Sequence, residues 1–537
     1  MPTTLVDLPT EILDIILLDP AFATCPEALF HTSRVCRRLH FIALPAFLAV
    51  SGLTLDSASF VPEAQLRLRT DHVPDLFAGL ETALFPIRIE TIRCVLPHPS
   101  CITIQPLVAC IRRLTHWIAS PSLAGVVSFI LEPDRHGSQC LSVGNDEQLG
   151  IWVDAMQSLL NVVVIRGCVD LTVSFGSQLT KTHIYSPKPS SSWIKALGAK
   201  LWPGKQSFSR SVTGSRAGDL TVDALFRRDA HWGIRRFDMI LAPSISAAAG
   251  GVKISTVRVA SAILITPPGL RWTLSLLQTG HITTLGLDFD VADEGLWSHV
   301  LPVLKDSLQQ GSHKGNQLRK LELRNTKHHL NSIVLALLPS APMNSLIELA
   351  IYDELTWELR APNAVSLTFP LVESLKAPVP YITFMLRQKA LPALRDLCIL
   401  WRMPTTSLAF PSPQEIADIL SEPLSLLDSQ HLTPCLSVIL NAEVYLYELD
   451  QPSAPILPSP LQPSKILSRI QRVEIFVKRY HFDNISDVVR WVTPFPAVKR
   501  LELCISGAGV YDYSDVARRA RKDCATLTEI VINGRLF

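Results

Sequence analysis

The chain has 537 residues, 47% of them hydrophobic and 18% charged, with a formal net charge of +2. That length allows several domains or one long repeat array, and the apolar content excludes an intrinsically disordered chain. The near-neutral charge argues against a protein built around nucleic-acid backbone contacts, leaving only local patches for that role.

The first apolar run carries Asp7, Glu11, Asp14 and Asp19 with no basic flank, the opposite of a secretory signal. No uncharged apolar run reaches the ~18 residues that a membrane span needs. The best stretch, Ile240 to Leu264, is broken by Pro243, two glycines, Lys253 and Arg258. The reading is a soluble intracellular protein, cytoplasmic or nuclear. Its eleven cysteines form no C-x-x-C pair, so they read as small buried hydrophobes in a reducing compartment.

The spacing predicts three short helices at the start. Leu8 to Leu18 places Leu8, Ile12, Leu13, Ile16 and Leu17 on one apolar side. Pro9 sits in the first turn, Glu11 and Asp14 near the positive end of the helix dipole, and Pro20 stops the helix. A second helix starts at Pro26-Glu27 and carries Leu29, Phe30 and Ser33. A third, Cys36 to Ala43, has Leu39 and Ile42 on one side and ends before Pro45. Three such helices bury little surface alone, so the module is expected to lean on a partner or neighbour.

The wording Leu8-Pro9-Thr10-Glu11-Ile12-Leu13, followed by Ser33-Arg34-Val35-Cys36-Arg37-Arg38-Leu39, resembles the F-box. That helical module docks on the Skp-type adaptor of cullin ubiquitin ligases. The resemblance covers residues 1–50. It implies adaptor contacts by Leu8, Pro9, Ile12, Leu13, Ile16, Val35, Cys36, Leu39 and Ile42. Two departures stand out: the Asp19–Pro26 link is longer than is usual, and Leu39 replaces a frequent aromatic. Residues 51–85 read as a linker with connecting helices.

From 86 to 537 one motif recurs, apolar-x-x-apolar-x-apolar, ending in the alternation of a half-buried strand. Clear copies begin at Ile282, Leu318, Leu346, Leu394, Ile470, Val498 and Leu527, with weaker ones at Ile89, Leu160 and Ile254. One more strand fits around Leu436-Ser437-Val438. Amphipathic helices are expected at Leu296–Leu308 (stopping at Gly311), Leu330–Leu338, Gln414–Leu427, Asn484–Val492 and Asp515–Cys524. Strand, loop and helix at ~30–40 residues per unit read as an irregular leucine-rich-repeat-like α/β solenoid. An ordinary α/β domain with the same buried-strand pattern is the alternative. This part resembles the irregular repeat domains of fungal F-box proteins, although the Asn or Cys of regular repeats is replaced by Asp290, Thr326, Glu354, Arg402, Lys478, Ser506 and Arg535. The fold class is therefore α/β, a short three-helix F-box followed by that solenoid.

Two segments break the rhythm. Residues 181–218 hold seven basic residues and no acid, with Trp193 and Trp202, and read as a basic flexible insertion. Phosphate neutralisation and base stacking are its nucleic-acid alternative. Residues 451–464 hold five prolines and read as a stiff connection.

No catalytic constellation emerges. Gly311 to Gly315 lacks the G-K-[ST] ending of a phosphate loop, Ser192–Lys195 matches S-x-x-K without its companion motifs, and no G-x-S-x-G occurs. His328-His329 reads as a solvated helix start, and Asp288 and Asp290 as solvent-facing positions. No enzyme activity, cofactor or metal is expected. The resemblance implies a non-catalytic substrate receptor that holds a protein target by proximity. Its partners would be a Skp-family adaptor and, through it, a cullin. Sheet-face positions Lys320, Glu322, Arg324, Tyr352, Arg500 and Glu502 are the expected target contacts. A scaffold acting outside a ligase, and a nucleic-acid-associated protein using 181–218, are the alternatives.

Overall fold

The computed structural model describes residues 8–19, 25–56, 59–68, 75–96, 104–133, 146–174, 239–242, 252–266, 269–292, 294–312, 317–326, 341–352, 367–402, 413–442, 467–478, 492, 494–506 and 513–537. The basic 181–218 and proline-rich 451–464 segments, His328-His329, the Leu330–Leu338 helix and nearly all of the Asn484–Val492 helix lie outside these residues. The chain is mixed α/β and divides into two compact units, Met1–Asn316 and Gln317–Phe537.

Unit 1 begins with helices α1 (Thr10–Leu17), α2 (Pro26–Ser33) and α3 (Arg37–Val50). The first two match the sequence expectation. The third does not stop before Pro45 but runs through it to Val50. Proline there forfeits one backbone hydrogen bond. Ala43, Leu44, Ala46, Phe47 and Leu48 are all buried, and their burial holds the last turns helical.

Next come β1 (Phe60–Arg67), α4 (Leu76–Thr82), β2 (Ile87–Leu96), α5 (Ile104–Ala119), β3 (Leu123–Pro133), α6 (Asp146–Ile165), β4 (Asp170–Val173), β5 (Thr256–Val259), α7 (Leu270–Leu277), β6 (Thr284–Asp288) and α8 (Glu294–Ser312). The 51–85 stretch read as a linker thus contains the first strand. The motif at Leu160 is helical rather than extended. It lies in α6, where Leu159, Leu160, Val163 and Val164 are all buried, the period of a helix face. The Leu296–Leu308 expectation corresponds to α8, which passes Gly311 to end at Ser312.

Strands β1 to β6 pair in chain order and all in parallel. Parallel neighbours need a crossover, and crossovers of one hand taken always in the same direction stack the helices on one side of the sheet. The other side is left to carry outward residues. Buried Trp117, Trp152, Trp272, Trp297, Phe77 and Phe129 fill the helical side.

Side chains also hold irregular backbone in place. Arg166 donates to the carbonyls of Ile118 (2.7 Å), Ser120 and Leu123 (2.6 Å), fixing the chain where α5 gives way to β3. The segment 239–242 is clamped onto α6 by two amides one helical turn apart. Gln157 Oε1 accepts from Ile240 N at 2.8 Å, Asn161 Nδ2 donates to Ile240 O at 3.1 Å, and Asn161 Oδ1 accepts from Trp272 Nε1 at 3.1 Å. Met239 and Leu241 turn inward and are buried.

Unit 2 runs through β7 (Lys320–Arg324), β8 (Glu348–Tyr352), β9 (Ser374–Pro378), α9 (Val379–Arg387), β10 (Asp396–Arg402), α10 (Pro413–Ser429), β11 (Cys435–Ala442), β12 (Ile470–Lys478), β13 (Arg500–Ser506), α11 (Tyr513–Asp523), β14 (Glu529–Ile532) and β15 (Arg535–Leu536). Each clear copy of the strand motif, and the extra strand at 436–438, falls on a strand. Strands β7 to β14 again pair in chain order and in parallel. The edge is then closed by the antiparallel β15. Asn533 and Gly534 make that turn with φ of 48° and 80°, the left-handed pair that a two-residue hairpin requires.

Candidate functional site

Two surfaces gather the residues singled out in the sequence. The first is the N-terminal module. Leu13 and Leu17 form the inner side of α1 and are fully buried. Yet the outer side is apolar too: Ile12, Ile15 and Leu18 are 42%, 68% and 63% exposed. Val35, in the turn before α3, is 65% exposed, and Phe41 on α3 is 47% exposed. Leu8, Ile16, Cys36 and Ile42 are half-buried and Pro9 is exposed.

Of the nine residues carried over from the resemblance, Leu13 and Leu39 turn inward as core, so they support the module rather than face a partner. The expectation that Leu8, Ile12, Leu13, Ile16 and Leu17 share one side is corrected: Leu13 and Leu17 are buried while Ile12 is exposed, because adjacent residues of a helix point about 100° apart. Ile15, Leu18 and Phe41 are exposed apolar positions that the sequence reading left out. Ile15 was legible, since it follows Ile12 by three residues on the same helix side.

The module is rigidly built. Ser33 Oγ donates to Phe30 O at 2.7 Å, and the Phe30 and Phe47 rings pack 5.3 Å apart. Arg38 Nη2 donates to Thr10 Oγ1 at 3.0 Å, tying α3 to α1. Buried His40 bridges the module to the next element: Nδ1 lies 3.0 Å from Ser33 O, and Nε2 accepts from Leu84 N at 3.1 Å. That pairing places the ring proton on Nδ1. Gly79 of α4 permits close approach, because a Cβ there would come within 2.6 Å of Phe47 Cε1.

The second surface is the outward side of the unit 2 sheet. One register row crosses eight strands: Glu322, Ala350, Lys376, Cys398, Ser437, Arg472, Arg500 and Glu529. The next row carries Arg324 and Tyr352, then Pro378, Leu400, Ile439, Glu474 and Glu502. The structure brings the expected target contacts onto this one face, but in two separate clusters. Lys320 lies 3.5 Å from Glu322 and 3.0 Å from Glu348, and Arg324 lies 3.3 Å from Glu322. Arg324 also sits 5.5 Å over the Tyr352 ring. At the far end Arg472 and Arg500 lie 2.8 and 3.5 Å from Glu502, and Arg500 also reaches Glu529 at 3.1 Å. Glu322 is buried beneath its partners.

Glu474, Glu502 and Cys504 place their ligand atoms within 4.8 Å of one another, the one such group among the described residues. Arg472 and Arg500 already compensate Glu502, so the electrostatics favour a closed ion-pair network over a cation site. Burial first, then repulsion from Glu502, push the Glu474 carboxyl above its ordinary value against the opposing pull of Lys376 and Arg472. A carboxyl that binds its proton more tightly when folded costs stability as pH rises from the unfolded value, 4.5, through the folded one; below that window the cost is absent. Glu474→Gln should therefore raise the Tm at about pH 7.5, with the gain over wild type vanishing near pH 4. Equal melting at both pH values would contradict this. Cys398, on the same face, is held protonated by burial and packs as a small apolar group.

No helix among the described residues is long and apolar enough to cross a membrane. No protein-family model matches the chain, and no curated protein is significantly similar to it in sequence.

Proposed function

We propose that this chain is a non-catalytic substrate receptor of a Skp–cullin–F-box ubiquitin ligase. In this reading α1 to α3 form an F-box that docks on the adaptor, and the parallel strand–helix units form an irregular leucine-rich-repeat-like solenoid whose outward sheet face holds a protein target. Ubiquitin transfer then follows from proximity, since tethering raises the effective concentration of a target lysine beside the charged conjugating enzyme.

One observation carries the reading. Helix α1 turns Leu13 and Leu17 inward and exposes Ile12, Ile15 and Leu18, with Glu11 beside them, on its outer side. A surface helix ordinarily shows a polar outer side. Three exposed apolar residues on one helix, with Val35 and Phe41 also exposed in the same module, fit a docking module whose partner is absent. The Leu8-Pro9 and Val35-Cys36 wording of the F-box flanks that same apolar set. The parallel strands, in chain order within each unit, support the repeat reading.

The test is co-purification of the intact chain with a Skp-family adaptor and a cullin, beside a Leu8→Ala, Pro9→Ala double variant. Adaptor and cullin retained by the intact chain, and lost from a double variant of unchanged Tm, is the expected result. Adaptor without cullin points to a scaffold outside the ligase. An intact chain that retains no adaptor overturns the proposal.

A further inference from the structure

A cleft in unit 1 belongs to neither surface described above. It has a volume of about 560 Å³, opens to solvent on the helical side, and is lined from α4, α5 and α6. That volume lies within the range of small-molecule sites. Most of the lining comes from α5. Gln105, Ala109, Arg112 and His116 follow one another at helical spacing, so they form one exposed stripe along that helix. Buried Val108 lies beside the stripe, and half-buried Ile151 supplies the α6 wall, giving the cleft an apolar body.

Two adjacent arginines of α5 are used differently there. Arg113 donates through Nε and Nη2 to the Glu81 carboxylate of α4, and its guanidinium lies 5.1 Å from the Phe77 ring. Phe77 in turn packs edge-on against Trp117 at 5.7 Å. This wall is therefore fixed, and the Glu81 charge is cancelled within it. Arg112 is uncommitted. Neither it nor Gln105 nor His116 has a side-chain hydrogen-bond or ion-pair partner among the described residues. Glu147 and Asp154, a turn to either side of Ile151 on α6, are exposed and outside ion-pair distance of Arg112.

We infer that this cleft binds a small organic carboxylate with an apolar body. The carboxylate would pair with the Arg112 guanidinium, whose planar fork matches its two oxygens. His116, one turn further along α5, would supply another donor. The apolar body would run past Ala109 over Val108 and Ile151 toward Gln105, a length of roughly 10 Å at the rise of a helix. One uncompensated cation matches one negative charge. A dianion such as a phosphate monoester would bring a second charge toward Glu147 and Asp154. Because the Glu81–Arg113 wall is already ordered, binding need not order it. The inference stands apart from the receptor reading.

The probe is octanoate, titrated calorimetrically into the full chain, with octan-1-ol and octyl phosphate as comparators. Octanoate is expected to bind wild type, and each comparator about tenfold more weakly. Arg112→Gln should weaken octanoate by about tenfold or more at unchanged Tm, because Arg112 is exposed and holds no neighbour. Ala109→Trp fills the cleft from an exposed position and should abolish binding. An Ile12→Asp, Ile15→Asp variant, which removes exposed apolar residues of α1, should bind octanoate as wild type does. No octanoate binding, octan-1-ol held as tightly, or affinity that survives Arg112→Gln or Ala109→Trp overturns the inference. So does tighter binding of octyl phosphate, which would assign a dianion, or loss of octanoate in the α1 variant, which would place the ligand on the N-terminal module.

Discussion

Replacing Gly269 with alanine is expected to lower the stability of unit 1 by about 3 kcal/mol or more, the upper end of what overpacking costs. Gly269 caps the start of α7 at an ordinary φ of −83°, so backbone strain is not the issue. Space is. A Cβ there would overlap the Ile263 carbonyl oxygen and come within 2.9 Å of Met239 Cε. Neither neighbour can retreat easily. Ile263 belongs to a 3-10 turn pinned by Ser261 Oγ, and Met239 is buried in the segment clamped by Gln157 and Asn161. Pushing α7 outward instead would pull Trp272 from Asn161 Oδ1. The damage should thus show as a lower urea midpoint and as new proteolytic cleavage near 239–242. Gly125 of β3 is the control, because nothing lies within 4 Å of its Cβ position. Gly125→Ala should leave stability unchanged or raise it by about 0.5 kcal/mol. If both variants melt alike, the close approach at Gly269 is not a packing constraint.

The strands that the sequence announced are those whose inward leucines alternate, such as Leu321 and Leu323 or Leu501 and Leu503, each with buried and outward positions in turn. Those it concealed break that pattern for identifiable reasons. Strand β1 contains Pro62, which only an edge position tolerates, and β1 is the first strand of its sheet. Strand β9 is five residues ending in Pro378, and β4 has four residues, too few to show a period. Conversely, Val162-Val163-Val164 in α6 looks extended by β-propensity, but its burial follows helical spacing; tertiary packing overrides the local preference.

The sheet face shows the same division. Alternation alone places Lys320, Glu322, Arg324, Arg500 and Glu502 outward, and they are on that face. Their pairing with Glu348, Arg472 and Glu529 depends on cross-strand register between residues about 30 apart in the chain. The recurring motif does carry that register, since Leu321 pairs with Leu349, and Val473 with Leu501 and Leu501 with Ile530; what it leaves open is which long side chain reaches across to which neighbour.

Placing aspartates at Ile12 and Ile15 is expected to abolish adaptor docking, weakening it about a thousandfold or more, while leaving the chain folded. The two side chains are 42% and 68% exposed, so a charge there meets water in the free protein and costs little. In the proposed complex the same positions lie in a desolvated apolar contact. Losing two central anchors and stranding two charges there costs about 4 kcal/mol, and each 1.4 kcal/mol is tenfold in affinity. Leu13→Ala tests the other side of the same helix. Leu13 is fully buried, so its truncation should cost about 2–5 kcal/mol of packing and lower the melting point, with docking weakened only as far as the module loosens. The measurement pairs thermal melts with adaptor binding by calorimetry for both variants. An outward variant that melts normally but no longer binds, beside an inward variant that melts early, assigns the two sides of α1 to partner and core. Should the outward variant lose stability as well, Ile12 and Ile15 are packed against the chain itself. The apolar outer side of α1 would then be part of the fold rather than a place for a partner.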